Sequence, residues 1–475
     1  MGDEITNQRF KKKDYKAFYE HLIIESQLLE QWFANKKFDT TYAVAGFEQE
    51  AWLVNHAFSP EPMNESYLAK LNHPLLSPEL ARFNIELNVN PVALKDKALS
   101  KLKLALSEIW QTCEQHAAQS DLKLLITGIL PTLEDSQLTL ANMSAMNRYR
   151  ALNEQVMHSR KGKPLRLDIV GVEHLKSEHF DVMLESAATS FQIHRQIALD
   201  RAARYMNAAI IGSAPLVAIS VNSPFLFGRH LWEESRIPLF EQSVELGGYG
   251  SIGGPLKRVT FGSAYVEKSL MECFSENLEH YPILLPVELA QSPERLPYLR
   301  LHNGTIWRWN RPLIGFENHL PHLRVEHRVC SAGPTITDEI ANTAFCYGLH
   351  EHLSTTEVPP ESQLDFAIAR DNFYNAARFG LSAHINWLDQ KRYNMRRLLL
   401  DKLIPMALSG LERLKLDAKD IEYYISIIQA RVESQQTGAA WQRSFVEKFG
   451  SNMQQLTQAY YERQQSDMPV HEWDF

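Results

Sequence analysis

The sequence predicts an α+β chain, with one sheet-centred core and a helical C-terminal third packed on it. Four segments share an apolar face and an opposite face of Glu, Arg, Asn, Gln and His, the period of strands with two unlike faces. Beyond Pro334-Thr335 the apolar period becomes helical and stays so to the end of the 475 residues. No internal repeat, low-complexity tract or linker interrupts the chain. It therefore reads as a single unit over 1–475, divided into a sheet-centred part (40–350) and a helical part (351–475).

The elements follow in order. Tyr15, Phe18, Tyr19, Leu22, Ile23 and Leu28-Leu29 have helical spacing and predict a helix over 14–34. After Tyr42-Ala43-Val44-Ala45 comes Gly46-Phe47-Glu48-Gln49-Glu50-Ala51-Trp52-Leu53, a strand with Glu48, Glu50 and Trp52 on one face and Phe47, Ala51 and Leu53 on the other. A Pro- and Asn-rich connection (56–78) leads to a second strand, Arg82 to Asn90, with Phe83, Ile85, Leu87 and Val89 opposite Arg82, Asn84, Glu86, Asn88 and Asn90. A helix over 94–118, a short strand at Leu122–Gly128, and a loop then helix over 140–160 come next. A third alternating strand, Ser190–Gln196, runs into a helix near 197–211. The glycine-rich stretch Gly247–Pro255 lacks GK[ST], and its glycines do not form a GxGxxG between strand and helix; it reads as a plain loop or a lid, with Lys257-Arg258 just after it keeping a phosphate contact open. Strands are predicted around Gly304–Pro312 and Leu323–Val329, then helices over 336–353, 361–379, 390–413, 418–433 and 439–464.

Composition narrows the function classes. With 49 Lys+Arg against 57 Asp+Glu, net charge −8, the chain lacks the basic surplus of a nucleic-acid protein. A local Arg cluster with a metal remains compatible with a polyanionic substrate. Cys113, Cys273, Cys330 and Cys346 form no ligand spacing and read as free thiols of a reducing compartment. The polar start has no apolar h-region after it, and the run Ala208–Val221 falls short of the ~20 residues a membrane span needs. The expectation is a cytoplasmic protein with no membrane partner.

The polar faces carry the chemistry. Together they hold Glu48 and Glu50; Arg82, Asn84, Glu86 and Asn88; Gln192 and His194; Arg324, Glu326 and Arg328. Solvent exposure is one reading, since antiparallel sheets often keep a wet face. Against it, Asn is depleted in ordinary strands, and these sets contain no Lys. Two carboxylates side by side on a strand repel unless a cation lies between them, and hard oxygens suit Mg²⁺ or Mn²⁺ better than Zn²⁺. Carboxylates interleaved with Arg are what a site needs to hold divalent metal and phosphate together. Trp52, Trp307 and Trp309 read as packing rather than adenine stacking.

The ordered set Gly46-Phe47-Glu48-Gln49-Glu50, Phe191-Gln192-Ile193-His194, Asn222-Ser223-Pro224-Phe225 with Phe227-Gly228-Arg229, Gly304-Thr305-Ile306-Trp307-Arg308, and Leu323-Arg324-Val325-Glu326-His327-Arg328 through Pro334-Thr335 and Asp338 resembles the glutamate–cysteine ligase family 2, the carboxylate–amine ligases. The resemblance spans about 40–350. It implies a glutamine-synthetase-like core, a mainly antiparallel sheet curved around ATP and metal with helices on its outer face. The implied reaction activates a carboxylate with ATP as an acyl phosphate, which an amine converts to an amide. Glu48, Glu50, Glu86 and Glu326 would then be the Mg²⁺ (or Mn²⁺) ligands. Glu50 and Arg328 would be catalytic, Arg328 facing the transferring phosphoryl. Gln192, His194, Arg324 and Arg308 would contact the metal–nucleotide, and Glu79 or Asn88 would add a further contact. Partners would be small amino acids, with glutamate as the acid and cysteine as one candidate amine; homo-oligomerisation is open. Gln49, where many members have Glu, and His327, where an apolar residue is commoner, depart from the pattern. A phosphotransferase on the same core and an inert binding scaffold are the competing readings.

Overall fold

The computed structural model describes residue 5 and residues 9–39, 43–247 and 257–475. The glycine-rich stretch therefore lies outside the described residues except for Gly247. Among the described residues the central sheet has eight strands: β1 (Val44–Val54), β2 (Leu76–Pro78), β3 (Asn84–Asn88), β4 (Val92–Ala93), β5 (Lys123–Leu125), β6 (Ser190–Ile197), β7 (Asn310–Glu317) and β8 (Leu320–Ser331). Their order is β7-β8-β6-β1-β3-β2, and β4 and β5 also pair with β1. Every pairing in this sheet is antiparallel. The sheet curls into a half-barrel.

β1 is the axis of the sheet. One edge pairs with β3 and β4, the other with β6 and β5, so residue 48 lies between Asn88 on one side and Gln192 on the other. The alternation fixes the faces. Phe47, Ala51, Ile85, Leu87, Phe191 and Ile193 are all buried on the outer face, each large side chain worth about 1.5–3 kcal/mol of burial. A one-residue slip would turn that whole set around, so the pattern pins the register.

Two helices cover the outer face. Ile336–Ser354 is anchored through the Tyr347 hydroxyl, which donates to the His194 carbonyl (2.8 Å), and through the buried Arg195–Glu351 pair (2.5 Å). Ala202–Ser220 packs against it and against β8. By length and composition the stretch Leu199–Ser220 would suffice to cross a bilayer, but 89% of its apolar window is buried inside the protein. It is apolar all round because neighbours enclose it. Outside these lie Ile404–Arg413 and Ala418–Ser434, the latter joined to the core by the Arg431–Asp338 pair (2.7 Å).

Several expectations shift. The 56–78 connection contains a helix, Asn64–Leu71, and strand β2. The helix placed near 197–211 begins at Ala202 and runs through Pro215 to Ser220. The last predicted helix is two, Gly438–Phe449 and Met453–Gln464, split at Gly450, whose φ of +92° suits glycine. A hairpin, Leu165–Val170 with His174–His179, had no counterpart in the sequence reading.

Candidate active site

The inner face of the sheet brings together carboxylates from separate strands. Glu48 and Glu50 come from β1, Glu86 from β3 directly opposite Glu50, and Glu326 from β8 directly opposite His194 of β6. Ligand atoms of Glu48, His194 and Glu326 lie within 4.8 Å of one another. His194 Nε2 is 3.5 Å from Glu48 Oε1 and 3.7 Å from Glu326 Oε1. Burial depresses the imidazole pKa against the pull of Glu48 and Glu326, and the nearby Arg324 adds to the depression. Neither ring nitrogen has a hydrogen-bond partner among the described residues. A buried neutral imidazole with free lone-pair capacity beside two carboxylates is a ligand set awaiting a cation.

Glu326 is the ionised end of the site. Burial opposes its charge, but Arg311 and Arg328 outweigh the burial and hold its carboxyl well below the usual range. Arg311 clamps it with two bonds (Nε–Oε2 2.8 Å, Nη2–Oε1 2.9 Å). Arg328 Nη1 reaches Glu326 Oε2 (3.2 Å) and donates to Gln192 Oε1. Gln192 Nε2 in turn donates to Glu50 Oε1 (2.9 Å), and the Ser190 N–H donates to Glu50 Oε2 (2.6 Å).

The other end is crowded with negative charge. Burial raises Glu50 to about 7, with Arg328 opposing and Glu86 adding to the rise. Burial and Glu48 raise Glu86, which accepts bonds from Asn88 Nδ2 (2.9 Å) and Ser77 Oγ (3.0 Å). Glu79 is raised well above the ordinary range by burial, Glu86, Glu50 and Glu185. Glu185 is raised to about 8 by burial and by Glu50. Glu86 Oε2 and Glu79 Oε1 are buried without a hydrogen-bond partner among the described residues. These carboxylates fit divalent cations by donor chemistry and by unmet charge.

Most of the predicted residues therefore face one hollow: Glu48, Glu50, Glu86, Glu326, Gln192, His194 and Arg328, with Arg324 close to His194. Arg308 differs, and the structure corrects its placement. It lies off the sheet, bonded to Asn277 Oδ1 (2.5 Å) and Glu276 Oε2 (2.6 Å), and those partners are not among the carboxylates of the hollow. Asn222 and Asp338, part of the motif set, are structural: Asn222 Nδ2 bonds the Ala332 carbonyl (2.7 Å), and Asp338 pairs with Arg431. Trp52 packs, stacked on Phe83 with its indole N–H on Thr189 Oγ1 (2.9 Å). Sequence reasoning missed Arg311, Ser77, Ser190 and Glu185. Arg311 was one register assignment away, since it lies opposite Glu326; Glu185 sits in a short 3₁₀ turn with no periodic signal.

A half-barrel of antiparallel strands backed by helices is a glutamine-synthetase-like fold. Residues 44–466 match the glutamate–cysteine ligase family 2, and the chain belongs to that family. Among solved structures it is similar to a glutamate–cysteine ligase from Francisella tularensis in complex with AMP (TM-score 0.60, 12% identity, 90% of each chain covered). It is also similar to a bifunctional glutathione synthetase from Pasteurella multocida (TM-score 0.56, 12% identity), covering 94% of this chain and 55% of that one. At these identities the likeness is one of fold. No curated protein matches the sequence.

Proposed function

We propose that the protein is an ATP- and Mg²⁺-dependent carboxylate–amine ligase, with the γ-carboxylate of glutamate as the acid and an amino acid such as cysteine as the amine. The observation that carries this reading is the convergence of Glu48, His194 and Glu326 from three strands, with ligand atoms within 4.8 Å, beside carboxylate oxygens of Glu86 and Glu79 that have no hydrogen-bond partner among the described residues. Glu48, Glu50, Glu86 and Glu326 would hold the metal, with His194 and Glu79 at its edge. Mn²⁺ is an equivalent occupant by charge and donor type. When bound, divalent ions neutralise charge on the transferring phosphoryl group.

In the first step an oxygen of the substrate carboxylate attacks the γ-phosphorus and ADP leaves, giving an acyl phosphate. In the second the amine nitrogen attacks the acyl carbon, phosphate leaves, and the nitrogen loses a proton to give the amide. Arg328 would steady the equatorial phosphoryl oxygens; Glu326 and Gln192 orient its guanidinium, so little reorganisation is needed during reaction. Family membership and the ligase neighbours support ATP-dependent ligation; small amino-acid partners and a cytoplasmic location follow from the same reading.

Purified protein with ATP, Mg²⁺, glutamate and a panel of amino acids should release ADP and phosphate in step with an amide detected by mass spectrometry. Nucleotide turnover yielding a stable phosphorylated acceptor would replace ligation by phosphotransfer. No turnover with any acid–amine pair, together with no Mg-ATP thermal shift, would overturn the enzymatic reading.

A further inference from the structure

The outer face of the same sheet carries a second group of ligand atoms that this reaction does not use. His327 projects from β8 away from Glu326 and Arg328. Cys346 and His350 lie four residues apart on Ile336–Ser354, the spacing that puts two side chains on one helix face. The Cys346 sulfur and the two imidazoles offer ligand atoms within 4.8 Å of one another. Each of the three residues is at most 1% exposed.

We infer that His327, Cys346 and His350 bind one thiophilic metal ion, Zn²⁺ or Cu⁺, that fastens the sheet to its covering helix. The donors set the class of metal, since thiolate and imidazole suit Zn²⁺ and Cu⁺ and not Mg²⁺ or Ca²⁺. The rings are already oriented. His327 Nδ1 lies 2.8 Å from Asn310 Oδ1, an acceptor only, so Nδ1 carries the proton and Nε2 keeps its lone pair. Asn310 is itself held by donating from Nδ2 to Ser213 Oγ (2.8 Å). Such an outer partner is what fixes the tautomer of a ligating histidine.

His350 has capacity left over. Among the described residues its Nδ1 meets the Cys346 sulfur (3.5 Å) and its Nε2 has no hydrogen-bond partner. A buried imidazole whose polar atoms meet one sulfur and nothing else is costly unless something ligates it. Gly212 lets the neighbouring helix close over this ring, because a Cβ there would lie 2.5 Å from His350 Nε2.

Charge separates the two metals. Arg195 pairs with Glu351 (2.5 Å), which also holds Arg201 (2.8 Å), so the surroundings are already positive. Cu⁺ with one thiolate adds no net charge. Zn²⁺ with one thiolate adds one positive charge and needs a further donor. The Tyr205 hydroxyl, 3.3 Å from His327 Nε2, is an oxygen donor at hand for that role.

The test is metal content and ligation. The full chain, expressed with Zn²⁺ or Cu⁺ supplied and dialysed against EDTA, should retain about one equivalent of one of them by elemental analysis. Cys346→Ala should retain less than a tenth of that, while Glu50→Gln, altered only on the inner face, should retain all of it. X-ray absorption on the wild-type protein should show one sulfur with nitrogen neighbours, a readout that stands even if Cys346→Ala fails to fold. No retained metal under either supply would overturn the site, as would equal retention in Cys346→Ala or a metal ligated by oxygen and nitrogen without sulfur.

Discussion

Glu50 is where the inner face concentrates its conflict. It is buried, faces Glu86 across the strand pair, and is held by Ser190 and Gln192. Replacing it with Gln keeps the shape, gives up one of these two accepted bonds because an amide has a single oxygen, and removes one charge from the cation-binding set. Glu50→Gln should lower ATP turnover by at least about 100-fold, the scale of losing one preorganised charge partner. Its thermal midpoint should stay at or above that of the wild type, because a buried repulsion is relieved. A control, Glu178→Gln, alters an exposed ion pair with Arg166 and should leave rate and stability alone. Turnover at the wild-type level in Glu50→Gln would remove Glu50 from the site. At this scale the sequence was readable where a polar face ran opposite an apolar one. Glu48, Glu50, Gln192, His194 and Glu326 announced a shared face by being polar on every second position. Arg308 alternated in the same way in a short segment, yet its strand pairs with Val259-Thr260 outside the main sheet. Alternation gives the face of a strand but not the sheet to which that face belongs.

Elements were legible in proportion to the length of their periodic signal. β1, β6 and β8 were found because eight or more residues repeat one pattern in each. β2 and β4 have three residues or fewer, too short for a period to declare itself, whereas β5, equally short, was marked by its apolar run before Gly128. Neighbours also override local signals. Pro215 breaks helices in general, yet Ala202–Ser220 continues through it because it is enclosed on all sides. The crossing of Ile336–Ser354 over Ile404–Arg413 is set by two glycines that no periodicity could single out. A Cβ at Gly410 would lie 1.9 Å from the Gly348 carbonyl oxygen, and one at Gly348 would lie 2.3 Å from the Ala407 carbonyl oxygen. Backbone cannot step aside as a flexible side chain can. Gly410→Ala should therefore destabilise the protein by about 1–3 kcal/mol in urea unfolding, overpacking outweighing the gain in helix propensity. A neutral or stabilising result would mean that the two helices do not approach this closely in solution.

Across the whole molecule, buried titratable groups set opposing dependences on pH. Burial raises Glu25 to about 7, where its carboxylate accepts the Leu299 N–H (2.8 Å) and ties Lys12–Ala34 to the helix Pro297–Gly304. Burial also raises Glu185 to about 8. The folded chain holds these protons more tightly than the unfolded chain, whose carboxyls titrate near 4.5. Their contribution to stability is thus complete below about 4.5 and is lost as pH rises through 7 to 8. Burial moves His302 and His322 the other way, to about 4. Folded imidazoles then bind protons less readily than unfolded ones, so their contribution is present above about 6.5 and is lost as pH falls through 4. The two trends cross on the acid side of neutrality. In chelator, without divalent ions, the thermal midpoint should peak between about pH 5 and 6.5 and decline toward both pH 8 and pH 4. Glu25→Gln should remove part of the alkaline decline, raising the midpoint at pH 8 while changing it little at pH 4.5. A midpoint that climbs steadily from pH 6 to 8 in the wild type, or a Glu25→Gln gain of equal size at both ends, would show that these carboxyls are not carrying the protons that their burial demands.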